Sequence, residues 1–307
     1  MKIAIGPCLF EWGKKAIRQF YQQMAFETDA DILYIGEVVC SKRNHLAADE
    51  LGILAELLKP SGKDLVLSTL GLVMSEGEQL SLRQVAEQAR RQSLWLEVND
   101  MGGMGVGEGQ PLVAGPHINT YNAATVAFLA RVGVQRVVLP VELAHSAMTA
   151  IMSNGTEEGG PTRPQMEVFA FGRLPLTFSA RCYTARAFQL SKSNCQYKCG
   201  DFPDGMLVRT QEQASFLNVN GTQTLSAQVF NLIQEVPHLH RMGVDVVRLS
   251  PQSQHMTEIV AIWKQCLDQR MEGREALARL LELNHGEPFC NGYFHGRPGL
   301  EFVVPEP

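Results

Sequence analysis

The chain has 307 residues, of which 45% are hydrophobic and 19% are charged, and its formal net charge is -5. This composition is typical of a globular protein with a sizeable core, and it excludes an intrinsically disordered chain. The acidic balance gives no support for nonspecific binding to nucleic acid or to an anionic membrane. No stretch approaches the roughly 18 consecutive apolar residues that span a bilayer, and no signal peptide is evident. We therefore expect a cytoplasmic protein.

Short apolar runs rich in β-branched residues alternate with longer helical patterns, as in a parallel sheet built from βαβ units. Eight of these runs have the length of strands, and they lie at 3–7, 30–36, 64–70, 95–98, 112–115, 136–142, 166–172 and 244–250. Helical periodicity is found between them, for example at 14–25, 45–58, 82–92, 123–132 and 228–242. Eight is the strand number of an α/β barrel, so the sequence predicts one TIM-like (β/α)8 barrel domain over residues 1–307.

Three regions depart from the repeating pattern. The crossover after Asp100 is rich in glycine and too short for a full helix, so we expect an irregular connection there. Residues 174–220 fit no barrel unit, and they predict an insertion after the seventh strand, at the C-terminal face of the barrel. The tail over 284–307 is rich in Gly and Pro, and we expect it to pack over one end of the barrel.

The seven cysteines favour a metal or redox role, because disulfide frameworks are rare in a reducing compartment. Cys182, Cys195 and Cys199 lie in the insertion, and Cys40 follows the second strand, so all four are expected at the same face of the barrel. Four converging thiolates match a cubane iron-sulfur cluster at least as well as zinc. Unpaired structural cysteines and a zinc site both stay open as alternatives.

Polar side chains at the carboxyl ends of barrel strands are the default candidates for substrate contact. His117 follows the fifth strand, Glu142 ends the sixth, and Arg248 closes the eighth, so the three are predicted at one rim. Arg248 could bind a carboxylate through its planar fork, His117 could move a proton near neutral pH, and Glu142 could orient either of them. The alternative for each is a helix cap or a local salt bridge. Lys42 and Arg43 fit either an anionic substrate or a solvated turn.

The segments that surround these residues are, in chain order, YIGEVVCSKR, LSTL, YNAATV, LPVELA, SARCYTAR, NVNGTQTLS, DVVRLSPQ and CNGY. They resemble the collagenase-like peptidase family, and the resemblance runs from the first strand to about residue 293. It includes the four cysteines in order. The resemblance implies a barrel fold with a [4Fe-4S] cluster on Cys40, Cys182, Cys195 and Cys199.

The same resemblance implies a function. The family members to which the chain is most similar act in ubiquinone synthesis without dioxygen, where a heterodimer of two homologous subunits hydroxylates the ring of a quinone precursor. Related members hydroxylate RNA bases, with prephenate as the implied hydroxyl donor, but the acidic net charge weakens an RNA substrate for this chain. We therefore expect the iron-sulfur subunit of an oxygen-independent hydroxylase. The alternatives are a noncatalytic electron-transfer or scaffolding partner, and a peptidase, although no protease motif is present.

Overall fold

The computed structural model describes residues 1–153 and 163–304, so the last three residues of the predicted tail lie outside the described residues. The strands of this part, numbered in chain order, are β1 (Lys2–Ile5), β2 (Ile32–Gly36), β3 (Asp64–Ser68), β4 (Trp95–Val98), β5 (Leu112–Ala114), β6 (Val134–Val138), β7 (Gln165–Gly172), β8 (Pro175–Phe178), β9 (Met206–Arg209), β10 (Ser215–Asn220), β11 (Gln223–Ser226), β12 (Val229–Asn231), β13 (Val246–Leu249) and β14 (Phe289–Cys290). The α-helices are α1 (Gly13–Phe26), α2 (Ala48–Leu58), α3 (Glu76–Arg91), α4 (Gly102–Val106), α5 (Ala123–Arg131), α6 (His145–Ser153), α7 (Tyr183–Ala187), α8 (Val236–Met242), α9 (Met256–Leu267) and α10 (Gly273–Leu283).

Strands β1 to β7 and β13 form a closed parallel barrel. The barrel closes because β13 pairs with β1 on one side and with β7 on the other, so that Val246 is the register partner of both Lys2 and Glu167. Each of these eight strands overlaps one of the runs expected from the sequence, although β6 begins and ends earlier than the run at 136–142. The structure therefore confirms the TIM-like barrel.

The barrel strands are buried on both faces, which explains why they read as continuous apolar runs rather than as alternating ones. In β2, for example, all five residues are buried. Successive side chains point to opposite faces of a strand, so Ile3 packs against the surrounding helices and Ala4 belongs to a smaller cluster with Tyr34 and Val66. The inside of the barrel is thus a packed core.

Local signals in the sequence begin and end the helices between these strands. Asn122 begins α5, where its Oδ1 accepts a hydrogen bond from the backbone N–H of Thr125 at 2.9 Å. Gly243 ends α8 in the left-handed conformation, with φ of 80°, and glycine adopts this conformation without steric cost. These capping residues fix where the helices between the strands begin and end.

Two crossovers differ from regular helices. The glycine-rich connection after Asp100 contains only the short helix α4, as expected. The helix predicted over 228–242 is wrong in its first half, because residues 229–231 form β12, which pairs antiparallel with β7. The helix begins only at Val236, with Pro237 in its first turn, where the missing N–H of proline costs no hydrogen bond.

The insertion after β7 forms a sheet of its own. Its four strands are antiparallel and have the order β8, β11, β10, β9, which extends the inserted region to Ser226. Strands β10 and β11 form a tight hairpin in which Asn220 pairs with Gln223 around Gly221 and Thr222. Within the described residues, no helix is both long and apolar enough to cross a membrane.

Candidate functional site

The four cysteines singled out from the sequence line one small cavity at the C-terminal face of the barrel. Cys40 lies in the loop after β2, and the other three come from the insertion between β8 and β9. Cys182 is the N-cap residue of α7, and Cys199 lies in a 3-10 turn over 198–201. Cys182 and Cys199 are buried, whereas Cys40 and Cys195 are partly exposed. The fold thus brings residues from distant parts of the chain to one place.

Backbone and side-chain hydrogen bonds connect the loops that carry the four cysteines. The Cys182 thiol accepts a hydrogen bond from the backbone N–H of Ala185 at 3.3 Å. Lys42 donates from its Nζ to the carbonyl of Ser193 at 3.0 Å, and the hydroxyl of Tyr197 donates to the carbonyl of Lys42 at 3.1 Å. The loop that carries Cys40 is therefore tied directly to the loop that carries Cys195 and Cys199.

The cavity is surrounded by positive charge, since Lys42, Arg43, Lys192 and Lys198 also line it. Burial raises the pKa of the Cys199 thiol, and the guanidinium of Arg43 beside it opposes that rise. Nearby cations stabilise thiolates, which are the form of cysteine that binds metals. The surroundings are therefore suited to a group with negatively charged ligands.

Arg43 is fully buried and joins the barrel to the insertion. Its Nη2 donates to Oδ1 of Asn220 at 2.5 Å, and its Nη1 donates to the carbonyl of Leu9 at 3.1 Å. Glu11 and Glu37 lie 3.7 and 3.8 Å from its guanidinium, so the buried charge is compensated. The sequence allowed Arg43 to lie either at an anionic substrate or in a solvated turn, and its burial excludes the solvated turn.

The donor set around the cavity fits a thiolate-bound cluster. In residues 1–153 and 163–304, no three His, Cys, Asp or Glu side chains are grouped closely enough to hold one metal ion. The four cysteines of a cubane bind different irons, so their sulfur atoms are spread around the cluster rather than gathered on one ion. The lining of this cavity offers four thiols and no carboxylate or imidazole, so the chemistry of its donors is that of a thiolate-bound group.

A second cavity, which we call the core cavity, lies at the centre of the barrel mouth. It is lined by residues at or near the carboxyl ends of six barrel strands: Gly6, Pro7, Leu9, Val38, Asn99, Pro116, His117, Phe169, Pro175, Arg248 and Ser250. Leu9 connects the two cavities, because it lines the core cavity while its carbonyl accepts the hydrogen bond from Arg43. The centre of this face is where α/β barrels place their active sites.

Beneath the core cavity, charged side chains form a buried network inside the barrel. Arg248 contacts Glu97 at 2.8 Å through Nη1 and Glu167 at 2.5 Å through Nε. Tyr34 donates its hydroxyl hydrogen to Glu167 at 2.5 Å and accepts from Nη1 of Arg136 at 3.0 Å. Burial opposes the charge of Arg248, but the two carboxylates outweigh it and raise the pKa of the guanidinium.

The structure brings together two of the three predicted rim residues. His117 lines the core cavity with Arg248, and its ring packs edge-on against Phe178 with 4.5 Å between the ring centres. Burial lowers the pKa of His117 to about 4, so its ring is neutral at pH 7. Glu142 lies apart from them, since it is exposed and accepts a hydrogen bond from the hydroxyl of Tyr121.

The charged network was missed at the level of sequence. Glu97, Arg136 and Glu167 each interrupt an otherwise apolar strand, in the segments WLEV, RVV and MEVF. A charged residue in a strand that is buried on both faces needs a charged or polar partner, and this was the available signal. Arg248 bridges Glu97 and Glu167, whereas Arg136 lies 3.9 Å from Glu167 and shares the hydroxyl of Tyr34 with it.

The fold and the two cavities define an α/β barrel with a cysteine-lined site at its C-terminal face. The model of peptidase family U32 matches residues 20–303, and the chain belongs to this family. Solved structures with a similar fold include the U32 peptidase Mk0906, at 10% identity over 83% of this chain and 94% of the other, with a TM-score of 0.44. Another is the tryptophan synthase alpha subunit from Campylobacter jejuni, at 13% identity over 90% and 93% of the two chains, with a TM-score of 0.42.

Proposed function

We propose that this chain is the iron-sulfur subunit of an oxygen-independent hydroxylase in anaerobic ubiquinone biosynthesis, equivalent to the U32 family member UbiV. The observation that carries the proposal is the cavity lined by Cys40, Cys182, Cys195 and Cys199, the cysteines whose surrounding segments resemble that member. Membership of family U32 supports the proposal at the level of the family.

In this proposal the four cysteines hold a [4Fe-4S] cluster, which would supply one-electron transfer at the barrel mouth. Residues of the chain would compensate the charge of the cluster ligands and hold the thiols in place. Lys42, Arg43 and Lys192 offset the negative charge of the thiolates, and the hydrogen bonds between the Cys40 loop and the insertion keep the thiols around one cavity. The core cavity, with His117 and Arg248, is the proposed place for substrate.

The iron and sulfide bound at the cysteine-lined cavity can be measured directly. We expect protein purified without air to be brown and to contain iron and sulfide, and we expect Cys195→Ala and Cys199→Ala to lose both. Cys8→Ala is the matched control, because Cys8 is a buried core residue that does not line the cavity. Zinc instead of iron in the wild type, or full iron and sulfide in the first two variants, would contradict the ligand assignment.

The physiological role requires an assay in cells. Cells that lack the native copy should regain anaerobic quinone synthesis with the wild-type gene, and Arg248→Ala and His117→Ala should reduce this rescue while iron is retained. Glu142→Ala tests the rim prediction separately, because Glu142 lies outside the core cavity. Full rescue by all three variants would favour a noncatalytic electron-transfer or scaffolding subunit. Iron-independent hydrolysis of a collagen peptide would favour the peptidase instead.

The proposed partner is a homologous subunit, UbiU in the naming of that pathway, and prephenate is the proposed hydroxyl donor. Co-expression of the two chains followed by size-exclusion chromatography should give a single peak at the mass of a heterodimer. Separate monomer peaks for the two chains under anaerobic conditions would count against a stable complex.

A further inference from the structure

The turn between β10 and β11 lies beside the cysteine-lined cavity, although it carries no thiol. We call Asn220, the last residue of β10, together with Gly221 and Thr222 the hairpin tip. All three residues are buried, and Gly221 lines the cavity itself. Each of these consecutive residues forms hydrogen bonds with a different segment of the chain that carries a cysteine.

Asn220 contacts the turn that carries Cys199. Its Nδ2 donates to the carbonyl of Cys199 at 3.0 Å and to the carbonyl of Phe202 at 3.0 Å. Both partners are acceptors, so the amide nitrogen belongs on this side. Cys195 lies in the same turn, because its carbonyl accepts a hydrogen bond from the backbone N–H of Lys198 at 3.2 Å. Asn220 therefore fixes a turn that carries two of the four thiols.

Gly221 contacts the residues that directly follow Cys182. Its carbonyl accepts a hydrogen bond from the backbone N–H of Tyr183 at 2.9 Å, and its own N–H donates to Oγ1 of Thr184 at 2.9 Å. Its φ is 73°, and a Cβ at this position would lie 2.7 Å from Nη2 of Arg43. Glycine suits the position, because it adopts this conformation without steric cost and leaves room for the guanidinium.

Thr222 contacts the loop that carries Cys40. Its Oγ1 donates to the carbonyl of Val39, the residue directly before Cys40, at 2.7 Å. Its own carbonyl accepts a hydrogen bond from the backbone N–H of Ser179 at 2.8 Å. Because paired strands are more rigid than loops, the pairing of β10 with β11 makes the tip a firm support for these contacts.

We propose that the hairpin tip is the positioning element of the cysteine site, which holds the thiols around the cavity before any metal is bound. Asn220 and Thr222 are its positioning residues. Residues that hold metal ligands in place through hydrogen bonds raise the affinity of a site for its metal. The inference rests on the proposed function only in taking the bound group to be an iron-sulfur cluster, because the placement of the thiols can be measured without iron.

Alkylation of the metal-free, full-length protein by iodoacetamide, measured for each cysteine by mass spectrometry, tests this placement. Cys199 is buried, so its alkylation requires a local opening of its turn. Asn220→Ala removes the two donated bonds without changing a charge, and Cys199 should then react roughly fivefold faster or more, as the loss of one net hydrogen bond predicts. Cys8, in the barrel core, reports global unfolding and should keep its rate.

Thr222 allows a matched pair of variants. Thr222→Val removes the bond to Val39 but keeps the shape of the side chain, and it should speed the alkylation of the partly exposed Cys40 by roughly twofold or more. Thr222→Ser keeps the hydroxyl and should restore the wild-type rate. Thr224→Val is the control, because Thr224 is a buried threonine of β11 outside the tip. If Asn220→Ala does not fold, the Thr222 variants decide.

A second readout uses protein that contains iron and sulfide. The chelator bathophenanthroline should remove iron about tenfold faster from Thr222→Val than from the wild type or Thr222→Ser. Equal rates of iron loss would overturn the inference. Unchanged alkylation of Cys199 in Asn220→Ala, or of Cys40 in Thr222→Val, would also overturn it, and so would an equal increase at Cys8.

The two proposals fail in different ways. A wild type that binds no iron, with variants that expose their own thiols selectively, would support the positioning role while contradicting the iron-sulfur function. An iron-sulfur protein whose thiols react alike in all variants would give the opposite result.

Discussion

Replacing Glu167 by glutamine tests the buried charge network inside the barrel. Glu167 is fully buried, and one of its oxygens lies 2.5 Å from Nε of Arg248. The other oxygen accepts from the hydroxyl of Tyr34 at 2.5 Å and lies 3.9 Å from Nη1 of Arg136. Glu167→Gln removes one negative charge from this balanced set and places amide hydrogens against groups that are themselves donors.

The expected cost follows from the loss of charge compensation. Breaking a buried ion pair by removing one partner typically costs about 3–5 kcal/mol, because a charge is left uncompensated in a medium of low dielectric constant. We expect Glu167→Gln to lower the free energy of unfolding by about that amount. This is a large part of the roughly 5–15 kcal/mol that stabilises an ordinary domain.

Urea unfolding at pH 7, followed by circular dichroism, measures this change. Glu87→Gln is the matched control, because Glu87 bonds to Arg90 at 2.8 Å and to Arg91 at 3.0 Å on the exposed face of α3. Exposed pairs of this kind contribute little to stability because water and salt screen them, so the control should be close to the wild type. If Glu167→Gln costs less than about 1 kcal/mol, or no more than the control, the network is not the electrostatic unit described above.

Two further predictions concern the partly buried His117 and two glycines. Because burial lowers the pKa of His117 from 6.5 to about 4, the unfolded chain binds a proton at this residue that the folded chain does not. The free energy of unfolding should therefore fall by an amount on the order of 3 kcal/mol as the pH is lowered from 6.5 to about 4. Urea unfolding measured at several pH values should show a smaller fall over that range for His117→Phe than for the wild type. Gly36→Ala should destabilise the barrel by about 1–3 kcal/mol, because the new Cβ would lie 2.2 Å from the carbonyl oxygen of Ser68. Gly105→Ala is its control in thermal and urea unfolding, since a Cβ there meets nothing within 4 Å and alanine favours the helix, so an equal loss in both variants would contradict the steric explanation.

The barrel was predictable from sequence because its signals are local and repeated. Each of the eight strands is a short apolar run, and the positions of Gly62 and Gly243 at helix ends follow from backbone conformation alone. The start of α8 was not predictable in this way. Residues 229–231 pair with β7 and become a strand, and a pairing across the chain leaves no trace in helical periodicity.

The sheet of the insertion was also missed, although one signal was present. Gly221-Thr222 places glycine first in a two-residue loop, which is a hairpin signal, and it lies between the β-forming segments SFLNVN and QTLS. For the candidate site, the sequence indicated which thiols would share a face, because strand ends meet at one end of a barrel. It could not indicate that Glu142 lies apart from His117, since this depends on where each side chain points from its loop.

The attachment of the insertion to the loop after β2 has a consequence for synthesis of the protein. Arg43 and Asn220, which form the buried bond between the two regions, are 177 residues apart along the chain. A growing polypeptide leaves the ribosome from its N-terminus, so Cys40 emerges long before the segment with Cys182, Cys195 and Cys199 exists. The cavity, whose lining runs from Cys40 to Gly221, can therefore form only after that segment has been made, so a group that it holds would be bound late in synthesis or after it rather than by an early nascent chain.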